Sequence, residues 1–296
     1  MQMIITGSGT SHGVPVIGCD CPVCTSNDPK NKRLRSAAYV KSPASIIIDT
    51  GPEFRIQALK YKIAKPDCVL LTHNHADHLN GLDDLRVFSH TKSADPKNPT
   101  PETEGEGLSL YANKKEIKAI KKRFDYIFTP VTQGGGKPKL NLICTSDINE
   151  KNPLVIKGIS IIPIPIMHGK LKVNGYLLSE EKNGKKKSIA YLTDCNSIPE
   201  KSFRTLSEDA GQIEHLVIDA LREKTHSSHF SFLEAMAAAD RIKPRHTWFI
   251  HMTHNMDHYD VQKYIDQNLD QFPNLESIVE NGGSVSPSYD GMEIEI

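Results

Sequence analysis

The segment His73-Asn74-His75-Ala76-Asp77-His78 places four metal-competent side chains within six residues, directly behind the apolar run 68–72. His73 and His75 alternate, so in an extended segment both project to the same side. Asp77 and His78 fall on the turn that follows and can reach a second ion nearby. Imidazole mixed with carboxylate suits zinc, manganese or iron. A polar loop that merely contains histidines would not need three of them with an aspartate in register.

Two ions need more ligands than this loop supplies, and other strand ends offer them. His168 follows ISIIPIPIM, Asp194 follows SIAYLT, and His251 closes TWFI. Taken singly, each could cap a turn or satisfy a backbone group. Together they complete two sets: His73, His75 and His168 on one ion, and Asp77, His78 and His251 on the other, with Asp194 bridging. Layered α/β folds tend to build their sites at such C-terminal strand ends. Two divalent ions about 3.5–4 Å apart would turn a bridging water into hydroxide at neutral pH. Attack of that hydroxide on phosphorus, with Asp77 and Asp194 holding the centre, is the chemistry this set suits.

Gly18-Cys19-Asp20-Cys21-Pro22-Val23-Cys24 gathers three of the six cysteines. That spacing is a tight loop around one ion, and zinc is the natural occupant for thiolates. Cys21 and Cys24 also form a CxxC, but a redox pair would leave Cys19 without a role and has no βα context. Cys68, Cys144 and Cys195 stand in apolar or strand-like contexts and read as buried thiols.

THNHADHLNGL with the distant His168, Asp194 and His251 resembles the metallo-β-lactamase superfamily of dinuclear metallohydrolases. The resemblance implies an α/β (α+β) αββα sandwich with the metal centre at its edge. GSGTSHGVPVIGCDCPVC, HADHLNGLDDLR and HMTHNMDH resemble, more narrowly, the branch that includes the phosphoribosyl 1,2-cyclic phosphate phosphodiesterase. That branch implies a separate structural zinc on Cys19, Cys21, Cys24 and His254. It also implies a histidine near the reacting phosphate at His229, within HSSHFSFLEAM. His229 is therefore the candidate acid for the departing alkoxide, with His226 as competitor. Ser227, Ser228 and Ser231 can equally read as helix caps there. Asp49 can orient a ligand histidine or simply end a turn. GSGTSHG lacks the phosphate-loop pattern and reads as a turn bringing backbone to the site, with His12 as a weaker substrate-side candidate.

These residues need a scaffold. Strand-like runs recur at 3–6, 44–50, 68–72, 108–112, 159–166, 188–193, 215–219 and 247–251, and helical patterns at 52–61, 114–123, 232–242 and 261–269. That mixture predicts a layered α/β or α+β architecture, as one domain over 1–296. The polar, proline-rich stretch 90–107 reads as a mobile insertion, and 133–139 as a flexible loop. Lysine plus arginine equals aspartate plus glutamate at 36 each, which gives no sign of a nucleic-acid or membrane partner. The basic runs 114–123 and 182–187 read as a solvated helix face and a hairpin turn. Without a signal-like leader or a spanning apolar run, the chain is expected in the cytoplasm, with reduced thiols. The expected activity is hydrolysis of a small cyclic or nucleotide-like phosphodiester, and a homodimer is compatible with the sequence. Acyl, thioester or lactone hydrolysis, tRNA 3′ processing and metal binding without turnover are the alternatives. The insertion, with two lysines against four acidic residues, is a poor tRNA-binding arm.

Overall fold

The computed structural model describes residues 1–89, 107–129 and 137–296. The expected insertion at 90–107 lies outside the described residues up to 106, as does 133–136 of the expected loop.

The described strands are β1 (Gln2–Gly7), β2 (Ala37–Ser42), β3 (Ile46–Ile48), β4 (Cys68–Leu70), β5 (Leu108–Ala112), β6 (Leu140–Cys144), β7 (Leu154–Ile156), β8 (Ile159–His168), β9 (Leu171–Lys182), β10 (Lys185–Leu192), β11 (Gln212–Asp219), β12 (His246–Ile250), β13 (Ser284–Pro287) and β14 (Glu293–Glu295). They form two sheets ordered β14-β1-β2-β3-β4-β5-β6 and β13-β12-β11-β10-β9-β8-β7. In the first sheet the β3, β4, β5 and β6 neighbours run parallel, and in the second so do β10, β11, β12 and β13.

Alternation along each strand explains the layering. Ile46 and Ile48 face the core between the sheets, whereas Ile47 faces the helices outside the first sheet. In the second sheet Ile189, Tyr191 and Val217 point inward, while Ala190, Leu192, Leu216 and Ile218 face the outer helices. Strands covered on both faces read as unbroken apolar runs, which is why these segments were legible as strands. Phe54 and Ile120 cover the first sheet from outside; Leu206, Phe232 and Ile265 cover the second. Helix, sheet, sheet and helix therefore stack as an αββα sandwich, each fully buried large aliphatic side chain contributing about 1.5–3 kcal/mol.

Local chemistry sets the connections. Asn183 (φ 53°) and Gly184 (φ 71°) make the tight β9–β10 turn, where an Asn-Gly pair accepts the positive φ at both positions. Helix Phe232–Ile242 starts on a capping box between Ser231 and Glu234 and ends at Lys243 in the left-handed region. Pro163 and Pro165 sit inside β8, opposite Tyr176 and Asn174 of β9. Their missing N–H groups cost no ladder bond, because β7 pairs only with β8 residues 159–161. The expected strands and the four expected helices are present with small shifts in their ends, strand Leu108–Ala112 and helices Lys114–Arg123 and Phe232–Ile242 without any. Strands β2, β6, β7, β9, β13 and β14 and helices Glu200–Glu208 and Pro273–Glu280 are additional.

Candidate metal centres

Strand ends converge on one edge. β3 leads into Asp49, β4 into His73 and His75, β8 ends in His168, β10 leads into Asp194, β11 ends in Asp219 and β12 leads into His251. Three of these turns hold non-glycine residues in the left-handed region: Asp49 (φ 64°), Asp194 (φ 55°) and His251 (φ 65°). Such backbone costs about 1–3 kcal/mol per residue and persists only where surroundings over-determine it.

Two glycines fit the candidate metal-binding loop to its support. A Cβ on Gly51 would stand 2.1 Å from Asp77 O, and one on Gly81 would stand 2.2 Å from Gly51 O. Thr50 N donates to His78 O at 2.8 Å, and Gly81 N to Thr50 O at 2.8 Å, which clamps the short Ala76–Leu79 helix onto the turn after Asp49.

The ligand atoms of His73, His75 and His168 lie within 4.8 Å of one another, as do those of Asp77, His78, Asp194 and His251. Asp194 divides its carboxylate between the two groups. Oδ1 is 3.9 Å from His73 Nε2, whereas Oδ2 is 3.1 Å from His78 Nε2 and 3.2 Å from His251 Nδ1. His73 Nε2, His78 Nε2 and His251 Nε2 are buried without a hydrogen-bond partner. Orphaned imidazole nitrogens beside buried carboxylates are the donor set a divalent ion satisfies, so the residues fit such a group.

The opposite ring nitrogens are held. His78 Nδ1 is 2.7 Å from Asp49 Oδ2, and Asp49 also accepts from Thr72 N at 2.8 Å and Thr72 Oγ1 at 2.7 Å. Asp49 is thus an orienting residue rather than a simple turn residue. His168 Nδ1 donates to Ser228 O at 2.8 Å, and His251 Nδ1 is 3.1 Å from Ser36 Oγ. Burial disfavours charge on His78, but Asp194, Asp77 and Asp49 together hold it well above the ordinary histidine range. Burial likewise opposes ionisation of Asp194, and His251 and His78 nevertheless pull it well below the usual carboxylate range.

His229 joins His168 and Asp194 in a third set within 4.8 Å, with its ring stacked 4.7 Å from that of His251. Its Nδ1 is 2.6 Å from Asp219 Oδ2, which also accepts from Cys195 N at 2.8 Å. Burial disfavours the charged ring, yet Asp219 raises His229 above its ordinary value; burial in turn pushes Asp219 up to about 7. Asp219 was not singled out from the sequence, although a carboxylate closing the apolar run HLVID is the same signal that Asp49 and Asp194 carry. His226 is exposed, with Nδ1 3.2 Å from Ser228 Oγ and its ring 5.3 Å from that of His229.

The cysteine loop closes on a residue far along the chain. His254 Nδ1 is 3.5, 3.4 and 3.3 Å from the Sγ atoms of Cys19, Cys21 and Cys24. A tetrahedral zinc with ordinary Zn–S and Zn–N bonds gives S···N edges of about 3.6 Å, so this donor set fits one. None of the six cysteines is in a disulfide. Backbone N–H from Cys24 lowers Cys21 to about 6, whereas burial raises Cys24 to about 11. Buried Arg33 supports the same loop by donating to Thr253 O at 2.5 Å and Met256 O at 3.3 Å. The GSGT segment lies alongside: Thr10 N donates to Met252 O at 3.2 Å and Met252 N to Ser8 O at 3.1 Å, flanking His251. His12 is exposed and meets His254 edge-on, ring centroids 5.5 Å apart, on the cysteine side. Cys68 and Cys195 are buried, and Cys144 is only half-buried.

This sandwich with its ligand-rich edge is that of the metallo-β-lactamase superfamily, to which the chain belongs: residues 44–252 match the family described as Beta-lactamase superfamily domain. Within it the chain resembles the PhnP family. A crystal structure of a new diphosphatase from that family is 33% identical, covers 100% of this chain and 96% of its own, and superposes with a TM-score of 0.76. An octanoyltransferase of Porphyromonas gingivalis is 32% identical over 288 residues, which are 96% of this chain and 52% of that protein. The chain thus spans about half the length of that curated relative. Zn²⁺-bound PqqB from Methylobacterium extorquens shares the fold, with 16% identity and a TM-score of 0.67. Among the described residues no helix is long and apolar enough to cross a membrane.

Proposed function

We propose that the chain is a dinuclear metal-dependent phosphodiesterase acting on a small cyclic or nucleotide-like phosphodiester. The observation that carries this reading is the buried Asp219–His229 pair, 2.6 Å apart, set against His168 and Asp194. Cleavage of an alkyl phosphodiester expels a poor alkoxide, which needs a proton at neutral pH. A histidine held protonated at the metal edge supplies it.

In this reading His73, His75 and His168 hold one ion, Asp77, His78 and His251 the other, and Asp194 is shared. When bound, two such ions supply Lewis acidity toward phosphoryl oxygens and lower the pKa of water. Asp49 fixes the tautomer and tilt of His78. His229 gives its proton from the face opposite Nδ1, and Asp219 keeps that nitrogen occupied. Cys19, Cys21, Cys24 and His254 hold a structural zinc that ties the N-terminal loop to the segment bearing His251. The likeness to a PhnP-family diphosphatase supports phosphorus as the reacting centre.

The name of the Porphyromonas relative keeps acyl chemistry as a second reading. A substrate panel of bis-p-nitrophenyl phosphate, 2′,3′-cyclic nucleotides and acyl thioesters separates the two. Turnover of the phosphodiesters is expected; turnover of thioesters alone would replace this proposal with the second.

A further inference from the structure

Helix Lys114–Arg123 carries its lysines on one stripe. Lys114, Lys115, Lys118, Lys121 and Lys122 fall at i, i+1, i+4, i+7 and i+8, and all five side chains are exposed. The opposite stripe, with Ile117 and Ile120, packs on the outside of the first sheet, and Glu116, the one acid of the helix, is buried there. None of the five lysines is in a salt bridge among the described residues. The chain as a whole has no net charge, so this excess is local and the balanced totals conceal it.

The same helical layer exposes aliphatic side chains beside cations. On helix Phe54–Lys60, Ile56 is 56% and Leu59 64% exposed, next to the exposed Arg55 and Lys60. On helix Arg86–Ser89, Val87 is 57% exposed, next to the exposed Arg86. Arg55, Leu59 and Val87 line one groove of about 190 Å³, so the two helices present these tips side by side. Most acids of the layer are already engaged. Glu53 pairs with Arg35, Asp67 with Lys157, and Asp83 with Arg86 and the Tyr126 hydroxyl, which leaves Asp84 and Asp125 as countercharge.

We infer that the outer helical layer of the first sheet is a docking surface for an anionic lipid bilayer. Charge complementarity selects this occupant: a cluster of lysines on one helix face is attracted by the negative potential of an acidic leaflet. Single aliphatic tips beside Lys or Arg suit the boundary between headgroups and acyl chains, where the tip enters hydrocarbon and the cation stays level with the phosphates. A folded protein partner would call for a contiguous apolar centre, and a nucleic acid would leave the aliphatic tips unused. The contact is peripheral, since among the described residues no helix is long and apolar enough to cross a membrane. Arg123 donates to Asn74 O at 2.7 Å, between two of the candidate ligand histidines, so the layer borders the metal edge. That edge lies at the strand ends and the docking layer on the face of the sheet, so a docked chain leaves the edge in water. The inference does not depend on which bond the edge hydrolyses.

The test is co-flotation of the metal-loaded protein with vesicles of phosphatidylcholine alone and of phosphatidylcholine mixed with phosphatidylglycerol. The wild type is expected to float only with the mixed vesicles, at about 0.1 M salt and no longer at about 1 M. In K118E/K121E/K122E the affinity for mixed vesicles should fall by about tenfold or more. In L59N/V87N, which leaves every cation in place, it should fall by about fivefold. All five substituted side chains are exposed, so both variants are expected to keep the wild-type melting temperature. Wild type that stays off the mixed vesicles, or floats equally with both kinds, would overturn the inference. So would variants that float as well as wild type, or tighter binding of a single-stranded oligonucleotide than of the mixed vesicles. A dimer in sedimentation that L59N/V87N dissolves, without vesicle binding, would instead give the face to a second copy of the chain.

Discussion

Asp219 Oδ2 stands 2.6 Å from His229 Nδ1, with both side chains buried at the metal edge. This contact sets which way the ring faces and how long it stays charged. An acid must enter the reaction protonated, and His229 is raised above its ordinary 6.5. Turnover of substrates with alkoxide leaving groups should therefore persist above that pH and fall as pH rises through the elevated value. In Asp219→Asn burial remains but the carboxylate charge is gone, so the alkaline limb should move to lower pH. The rate with a methyl phosphodiester should drop by about 10–100-fold, while bis-p-nitrophenyl phosphate, whose leaving group needs no proton, changes little. An unmoved pH profile would remove Asp219 from the positioning role.

The two histidines of the Ser-Ser-His segment should separate cleanly. His229→Ala is expected to cost about 10²–10⁴-fold in turnover of the alkyl substrate. His226→Ala, which removes an exposed ring bonded to Ser228, should cost less than about threefold. Steady-state rates of both variants with the same substrate decide it, and a reversed order would make His226 the acid.

Loss of Asp77 leaves His78 and Asp194 without one of their carboxylate neighbours, since Asp77 Oδ2 is 3.1 Å from His78 Nε2. Asp77→Ala should bind fewer than two ions at the edge and lose at least about 100-fold in rate. Elemental analysis beside kinetics checks this. A variant with full metal content and activity would rule out the assigned centre.

At the cysteine loop, Cys24→Ser should remove one zinc per chain and leave the edge ions in place. A structural zinc contributes folding energy directly, and a loss of about 2 kcal/mol would lower Tm by about 3 °C. Because burial holds the Cys24 thiol near 11 without metal, zinc retention should strengthen as pH rises from 6 to 9. Zinc release to a chromogenic chelator, followed across that range, measures it; a flat profile would count against thiolate ligation.

Gly51→Ala probes the backbone support without replacing a ligand. The added methyl would lie 2.1 Å from Asp77 O, so either the turn or the Ala76–Leu79 helix must move. Destabilisation of about 1–3 kcal/mol is expected, together with weaker metal binding at the edge. Denaturant unfolding and metal titration of the variant would show whether the contact is as tight as the geometry requires.

The buried strands were legible because both faces are covered, and the candidate ligands His168, Asp194 and His251 because each stands at the end of such a strand. β2 and β9 escaped notice for the opposite reason: AAYVKS and LKVNGYLLSEEK mix polar residues into their runs, and Asn174 and Gly175 interrupt β9 with typical turn residues. Gly175 is there because a Cβ would meet Leu192 Cδ2 at 2.5 Å, a packing reason invisible along the chain. His254 lies 230 residues from Cys24, and only a resemblance, not spacing, could link the two.

Asp49, Asp194 and His251 all hold left-handed backbone at the ends of their strands. Glycine would adopt that conformation without strain, so glycine at any of the three should relax the turn that carries it while deleting a group to which the proposed function gives a role. Heat tolerance and turnover then select for different residues at the same positions. A library screened only for thermal survival should drift toward glycine there, and one screened for hydrolysis should not. The metal edge is where the most comfortable fold and the working enzyme are two different sequences.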